Sequence, residues 1–479
     1  MTGPCVASCV TVGITATGTN TLLNRVYVHD VGSGITAAGS GVDAANVSGT
    51  GGIVALSADV AIGATHIPLT SLTNNAHTIL EGWGVYVGSG TRAVGTVVGT
   101  PVSSPASVEI DIPLWSAFVS GTPVNFWKQP RELVAPPTVG MTVVNSTIER
   151  VWNTGGGVGM FVTSTNMFVA GNLVSDATRG EHVFRSQGMD HAVVQFNTMQ
   201  WPGQAAAYGA AGSKYVFVIR APDYWGGPTI LPGTYSEYIV VSDNKFIGND
   251  ASAYIAGTMA QNQNSDERIR YLVFERNLLV AGTATTQAFT LFTANHSMLR
   301  NNVFDLTARG GSQAIIVGDG DNGPTQRPVA AAYNYIYNNT IYTTNTWTVS
   351  SSLWAPISLG VNSKGTNNIS MKNNLVYAPN AIGTVASVTV CTTSCSQNGA
   401  VGTAPTATTQ TANSDASSIK TGNPNYVTVP PAGFLDYKPV CASPSTYPCG
   451  QGTEVPIWFD GAQARQSAAG TRDLGAFSH

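Results

Sequence analysis

The sequence predicts an all-β solenoid with a small β-rich insertion and a C-terminal capping segment, and three observations carry that prediction. First, an apolar strand that ends on asparagine and resumes at once recurs along the chain. It reads MTVVN at Asn145, MFVAGN at Asn172, AVVQFN at Asn197, IVVSDN at Asn244, LVFERN at Asn277, SMLRNN at Asn302, NYIYNN at Asn339 and ISMKNN at Asn374. Second, the steps between these asparagines are 27, 25, 47, 33, 25, 37 and 35 residues, a period with a floor of 25 and insertions above it. Such self-similarity marks stacked coils whose loops leave from certain corners. Third, short runs rich in Val, Ile, Phe and Tyr alternate with polar residues, a strand period of two.

Asparagine suits a repeated corner. It tolerates left-handed backbone geometry, and its amide bonds in both directions along a stack. Stacked amides satisfy each other, where a lone buried one would be costly. The strand–asparagine–strand pattern resembles the right-handed parallel β-helix of the pectate-lyase-like superfamily, the fold of secreted polysaccharide-degrading enzymes and tailspike-like proteins. The resemblance covers roughly two thirds of the chain by its repeating coils. It is specific for the fold and not for the reaction. The calcium-binding nonapeptide repeat of another β-roll class is absent.

Composition narrows the class. Charged residues make up 10% of the chain and glycines number 52, a profile of an extracellular β protein. A formal net charge of −4 with no basic stripe argues against nucleic acid as a partner. No apolar run approaches a membrane span. The start MTGPCVASCV shows no signal peptide, so the chain reads as a mature or trimmed form of a secreted bacterial protein. Cys5 and Cys9, Cys391 and Cys395, and Cys441 and Cys449 form three close pairs, expected to close small disulfide loops. Zinc would want four ligands, and no histidine neighbours these cysteines.

In chain order, residues 1–50 hold an N-terminal cap and first coil, where TLLNRVYVHD repeats the phrase at Asn24. Residues 51–130 alternate without an asparagine corner, as in DVAIGATHIPL and SVEIDIPL. They resemble a small β module inserted in bacterial and phage surface proteins, long enough for its own sheet or barrel. Trp83, Tyr86, Trp115 and Trp127 are expected in its core, with a sugar-stacking platform as the alternative. Residues 131–395 are the main coils, with longer loops at 201–213, 222–236, 259–268, 319–330 and 343–352. Stacking clusters those loops on the rims of one or two faces, with a site between them. Residues 396–479 are a linker, rich in Thr, Ala, Asn and Pro to 432, and a capping segment. The latter, with FDGAQAR and TRDLGAFSH, resembles the closing segment of many bacterial β-helix proteins, a cover for exposed core and strand edges.

The candidate chemistry lies on the first strands. If Arg185 points outward from EHVFRSQ, alternation brings Glu181 and Val183 outward and sends His182 inward, unless a bulge at Gly180 reverses it. VFVIRAP puts Arg220 at the corresponding end of the next coil's strand, so the two arginines are expected to stack on one face. An anionic substrate would explain the pair; partner carboxylates such as Asp223 or Asp190 are the plainer alternative.

RGEHVFRSQGMDH, with His182 and His191, resembles EH-x-x-R segments of β-helix polysaccharide lyases. The resemblance implies β-elimination. Arg185 and Arg220 would neutralise a uronate carboxylate, His182, Lys214 or one arginine would take the proton, and Tyr224 would assist the leaving oxygen. Glu181, His191, Lys214, Asp223, Trp225 and Tyr235 complete the substrate-binding set. The lysine–arginine pattern of one lyase family is not reproduced, because Lys245 follows an asparagine corner on a different strand. Asp319 and Asp321 in GDGDNG resemble a short calcium loop, with a Gly/Asp turn as the plainer reading, so calcium is an optional cofactor.

The expected function is an extracellular enzyme cleaving an acidic, uronate-containing polysaccharide by β-elimination. A glycoside hydrolase is the other enzyme reading, using carboxylates such as Glu181, Asp223, Asp319 and Asp321. The Asn-Thr-Asp, Asp-Asp, Gly-His-Gly and Arg-Ile-Lys set of polygalacturonases is missing. A non-catalytic glycan-binding surface protein, adhesin or tailspike-like, is the third class, since fold does not decide function. A monomer is expected, with a trimer as the alternative.

Overall fold

The computed structural model describes residues 12–37, 54–74, 77–88, 93–110, 114, 117–127, 138–152, 157–177, 181–203, 214–220, 235–250, 252, 254–259, 268–292, 294–309, 313–318, 331–348, 356–361, 368–382, 388–390, 409–415, 418–428, 431, 433–441, 447–453 and 474–477. Outside the insertion, the strands form three parallel rows and one short further pair, Trp347–Thr348 with Ala381–Ile382. Row 1 begins at Val12–Thr15 and Ser33–Ala37 and continues through the starts of Met160–Ala170 and Phe184–Gln195. Tyr215–Ile219, Tyr254–Thr258, Gln287–Phe292, Gln313–Gly318, Ile357–Val361 and Val388–Val390 follow in register. Row 2 takes the later halves of the same long strands, then Tyr235–Ser242, Arg268–Glu275, Met298–Arg300, Tyr335–Tyr337, Ser370–Lys372 and Thr409–Thr411. Row 3 is a nine-stranded sheet from Tyr27–Val31 to Leu375–Tyr377. The protein is a parallel β-solenoid.

The corner between rows 2 and 3 sets the period. Asn172, Asn197, Asn244, Asn277, Asn302, Asn339 and Asn374 are all buried there. Each accepts, on its Oδ1, the backbone N–H of the residue at the same corner one coil earlier. Asn197 Oδ1, for example, takes the N–H of Asn172 at 3.0 Å and its Nδ2 at 2.9 Å. Each Nδ2 also donates to a carbonyl, as Asn197 does to Val169 at 3.0 Å. The residue just before is left-handed in every coil, from Arg25 and Asn145 to Asn373.

Two details differ from the sequence reading. Asn24 and Asn145 are not ladder members, because the left-handed residue follows Asn24 and is Asn145 itself. The ladder positions are Val26, whose N–H donates to Ser146 Oγ at 3.1 Å, and Ser146, whose N–H donates to Asn172 Oδ1 at 2.9 Å. At the other end the solenoid runs past 395 into the segment read as linker. Asn374 donates to Asn413 Oδ1 from its backbone at 3.1 Å and its Nδ2 at 2.8 Å.

The interior is packed by side chains from all three rows. Phe184, Phe217, Phe246, Phe274 and Phe289 form a chain of ring contacts with centroids 4.8, 5.2, 5.9 and 4.5 Å apart. Burying each ring contributes about 1.5–3 kcal/mol.

The insertion has its own core, built on Leu56, Ile67, Val85, Val108 and Phe126. Six of its strands, Val54–Ala55, His66–Pro68, Gly84–Val87, Ala93–Ser103, Ala106–Ile110 and Pro123–Trp127, pair antiparallel in one sheet, and Thr73–Asn74 pairs with His77–Thr78 beside it in sequence. A bridge between Leu56 and Leu69 joins the two end strands, so the sheet curls into a small barrel. Trp83 lies in that core; the side chains of Tyr86, Trp115 and Trp127 lie outside the described residues.

The insertion leaves row 1 after Ser33–Ala37 and returns at Thr138–Val139 of row 2. Connections 221–234, 260–267, 319–330 and 362–367 leave and return at the same interval. Those at 204–213 and 349–355 join row 3 to row 1. At the C-terminus, Ile419 of the helix Ser418–Thr421 enters the main core, and its carbonyl accepts the Ala378 N–H at 2.8 Å. Tyr426, Tyr437, Ala476 and Phe477 pack against Leu278, Val303 and Tyr342 of row 3. The capping segment therefore covers a side of the solenoid as well as its end. The Cys441–Cys449 disulfide forms; Cys5, Cys9, Cys391 and Cys395 lie outside the described residues.

Candidate functional site

Row 1 does not alternate strictly. Val183 and Phe184 both belong to the core, as do Val216 and Phe217, Ala288 and Phe289, and Ala314 and Ile315. Two consecutive inward residues place the flanking ones together on the outer side. His182 therefore shares a side with Arg185, and Val183 points inward, the reverse of the alternation expected from sequence. The outer positions Phe161, Arg185, Val218, Gly257, Thr290, Ile316 and Ser358 are in register. Val218, Thr290 and Ile316 are fully buried, so this wall is covered along much of its length.

Five sequence candidates meet on it. Glu181 Oε2 accepts from Arg185 Nη1 at 3.3 Å, and Oε1 accepts from Lys214 Nζ at 3.2 Å. The Glu181 and Lys214 side chains are 25% and 22% exposed, whereas Arg185 is buried and its guanidinium lies 5.0 Å over the Phe161 ring. Arg220 is buried two residues beyond Val218, the register partner of Arg185, so the two arginines do not stack in register. Its backbone is fixed instead: its N–H donates to Ser186 Oγ at 3.0 Å, and Ser236 Oγ donates to its carbonyl at 2.7 Å.

His182 Nδ1 accepts the Tyr215 backbone N–H at 2.9 Å. Burial, and then the charges of Arg185, Lys214 and Arg220, hold its pKa well below the ordinary 6.5. The ring is neutral, its lone pair is engaged, and Nε2 carries the proton. This geometry suits a hydrogen-bond donor rather than the proton acceptor expected from sequence. Tyr215 stacks on Tyr254 at 4.7 Å, and its hydroxyl lies 3.0 Å from Thr290 Oγ1. Burial pushes both phenols up, so they remain protonated.

The depressed pKa of His182 has a measurable consequence. The unfolded chain takes up a proton below 6.5 that the folded chain resists, so stability is present above that pH and falls as pH drops below it. His182→Asn keeps an acceptor for the Tyr215 N–H without titrating. Thermal unfolding of the native protein should therefore lose more stability than the variant between about pH 6.5 and 5. Parallel pH profiles would show that His182 is not a titrating element of the fold.

His191 belongs elsewhere, at the row 1 edge of row 2, where its Nδ1 lies 2.7 Å from Asp190 Oδ1. It opens a ladder of rings running coil to coil. His191–Tyr238, Tyr238–Tyr271, Tyr271–His296 and His296–Tyr333 centroids are 4.8, 5.0, 5.6 and 5.0 Å apart. All five residues are left-handed, with φ of 52°, 54°, 52°, 48° and 55°. Beside them Asp190, Glu237, Arg270 and Asn295 form a buried polar register, in which Arg270 Nε donates to Glu237 Oε2.

Sequence reasoning missed Tyr238, Tyr271, His296, Tyr333, Glu237 and Arg270. A signal existed. His191 stands six residues before Asn197, Tyr238 six before Asn244, Tyr271 six before Asn277, His296 six before Asn302 and Tyr333 six before Asn339. Asp223, Tyr224, Trp225, Asp319 and Asp321 lie outside the described residues, as does the side chain of Tyr235. Among the described residues, no group of three His, Cys, Asp or Glu side chains is arranged for a metal ion, and no helix is long and apolar enough to cross a membrane.

No family model and no curated protein sequence matches the chain. Solved structures similar to it include the tailspike of Pseudomonas phage phi297, at 11% identity over 83% of this chain and 72% of that one, TM-score 0.35. The tailspike of Acinetobacter baumannii bacteriophage AP22, solved with A. baumannii capsular saccharide, is 9% identical over 78% and 70%, TM-score 0.29. The tailspike of Pseudomonas phage LKA1 is 10% identical over 79% and 71%, TM-score 0.27. At these values the likenesses carry no argument about function, and the fold rests on the strand register.

Proposed function

We propose that the protein is an extracellular surface or secreted protein that binds an acidic polysaccharide at Glu181, Arg185 and Lys214. The observation that carries this is the convergence of two cations on one partly exposed carboxylate. A uronate carboxylate can take the place of the Glu181 carboxylate there, meeting a guanidinium already fixed over Phe161. A pre-positioned cation loses little conformational freedom on binding.

For cleavage we propose β-elimination. Arg185 and Lys214 would neutralise the carboxylate and so acidify the neighbouring C–H, and His182 would donate through Nε2. The proton-transfer groups then fall to Asp223 and Tyr224 on the connection after Arg220, since the His182 lone pair is occupied.

The test is incubation with polygalacturonate, alginate and hyaluronate, following binding by affinity electrophoresis and unsaturated ends by near-ultraviolet absorbance. Lys214→Ala should weaken binding about tenfold or more, as loss of a charge-assisted contact does. Binding of no polymer, or equal binding by the variant, would sink the assignment. Binding without rising absorbance would leave a glycan-binding protein and remove the elimination step.

A further inference from the structure

We infer that the ladder His191–Tyr238–Tyr271–His296–Tyr333 is a second polysaccharide-binding surface, along which an oligosaccharide lies parallel to the solenoid axis. The inference rests on the reading that the ligand is a glycan, and adds a site the ion cluster does not include.

The choice of residue at this corner is the first argument. The backbone there is left-handed in nine coils, and the outer ones use residues that adopt this conformation readily: Asn20, Gly140 and Asn166 on one side, Asn368 on the other. Five successive central coils instead use His or Tyr, and for the three bulky tyrosines, Tyr238, Tyr271 and Tyr333, a positive φ is an outlier. Strain held at consecutive positions points to a role for the side chains.

The second argument is what the rings present. Tyr238 stacks on Tyr271 and His296 on Tyr333, at interplanar angles of 14° and 18°, while His191–Tyr238 and Tyr271–His296 are tilted by 35° and 45°, so the rings lie against one another from coil to coil. An aromatic rim carries the positive edge of the ring quadrupole, and here it also bears hydroxyl and imidazole groups. That suits an oxygen-rich ligand better than an apolar protein surface. The next outward register along row 2 is Phe168, Val193, Val240, Val273, Met298 and Tyr335, all but Met298 half-buried. It offers an apolar floor for sugar C–H faces beside a polar rim. Tyr238 is 43% exposed. Four coil steps at about 4.8 Å give a track roughly 19 Å long, enough for an oligosaccharide. His191 follows Arg185 on the strand Phe184–Gln195, so a chain on this track ends at the coil that carries the ion cluster.

The test is the double variant Tyr238→Asn with Tyr271→Asn, which installs the residue the corner uses in neighbouring coils. With polygalacturonate, alginate or hyaluronate oligosaccharides as probes, binding should weaken about tenfold while the unfolding temperature holds, as loss of anchor contacts does. A second double variant, Tyr238→Phe with Tyr271→Phe, keeps the stack and removes the hydroxyls; it should bind several-fold more weakly. If both double variants bind as the native protein does while Lys214→Ala does not, the ladder inference falls and the ion-cluster site stands. Native protein that binds no probe overturns both. Loss of stability in the asparagine pair with native binding in the phenylalanine pair makes the ladder a packing device. A change from oligomer to monomer in sedimentation, with binding intact, makes it a contact between copies of this chain; either result overturns the inference.

Discussion

Replacing Asn277 with alanine is expected to remove about 3–5 kcal/mol of stability, a large share of the roughly 5–15 kcal/mol that holds a folded domain together. Asn277 is fully buried, and its Oδ1 accepts the Asn244 N–H at 2.9 Å and the Asn244 Nδ2 at 3.0 Å. Its own Nδ2 donates to the Val241 carbonyl at 2.9 Å and to Asn302 Oδ1 at 3.1 Å. Alanine strands donors and acceptors on both neighbouring coils, where water cannot replace the lost partner, and each such group costs about 1–3 kcal/mol. Serine should cost less, because Ser146 shows that a hydroxyl can accept the backbone N–H of the preceding coil. Urea unfolding followed by tryptophan fluorescence measures the series, with Asn380→Ala as the surface control. A loss below about 1 kcal/mol for Asn277→Ala would mean that the ladder does not carry the coil-to-coil register.

That ladder is also why the fold was legible. A buried amide stack needs the same residue at the same corner, so the constraint is written directly into the chain as a period. Where the constraint is weaker the pattern misleads. Asn24 and Asn145 match the phrase but stand one or two residues off the ladder, because a serine or a backbone N–H can end the stack where fewer partners need satisfying. The candidate site was legible only in part. Glu181, His182, Arg185, Lys214 and Arg220 do gather, since adjacent coils are one strand spacing apart. Their orientations did not follow, because row 1 turns two consecutive residues inward and breaks the period of two on which the reading depended. The aromatic ladder escaped for another reason. A corner that needs a positive φ predicts Asn or Gly, and His and Tyr hide the repeat from a search by residue type.

Glu237→Ala is expected to cost about 3–5 kcal/mol, the second large effect, because it leaves Arg270 without the carboxylate that faces it in a site closed to water. The side chains of the pair are 1% and 2% exposed, unlike the Arg150–Asp30 pair at 32% and 21%, for which about 1 kcal/mol or less is expected. Raising the salt concentration should shrink the Arg150–Asp30 effect and leave the Glu237 effect unchanged, since a buried pair is little screened. The double variant Glu237→Leu with Arg270→Met should recover most of the loss, because two apolar side chains of similar volume avoid the desolvation of both charges. A double-mutant cycle measured by urea unfolding supplies the coupling, and a value below about 1 kcal/mol would exclude the pair as a structural element. Recovery of stability would then separate two roles. The Arg270 guanidinium lies 5.4 Å from the Tyr271 ring, in the middle of the aromatic ladder. A variant that is stable yet binds glycan more weakly would show that the ion pair is kept to hold that ring in place, and not for the fold.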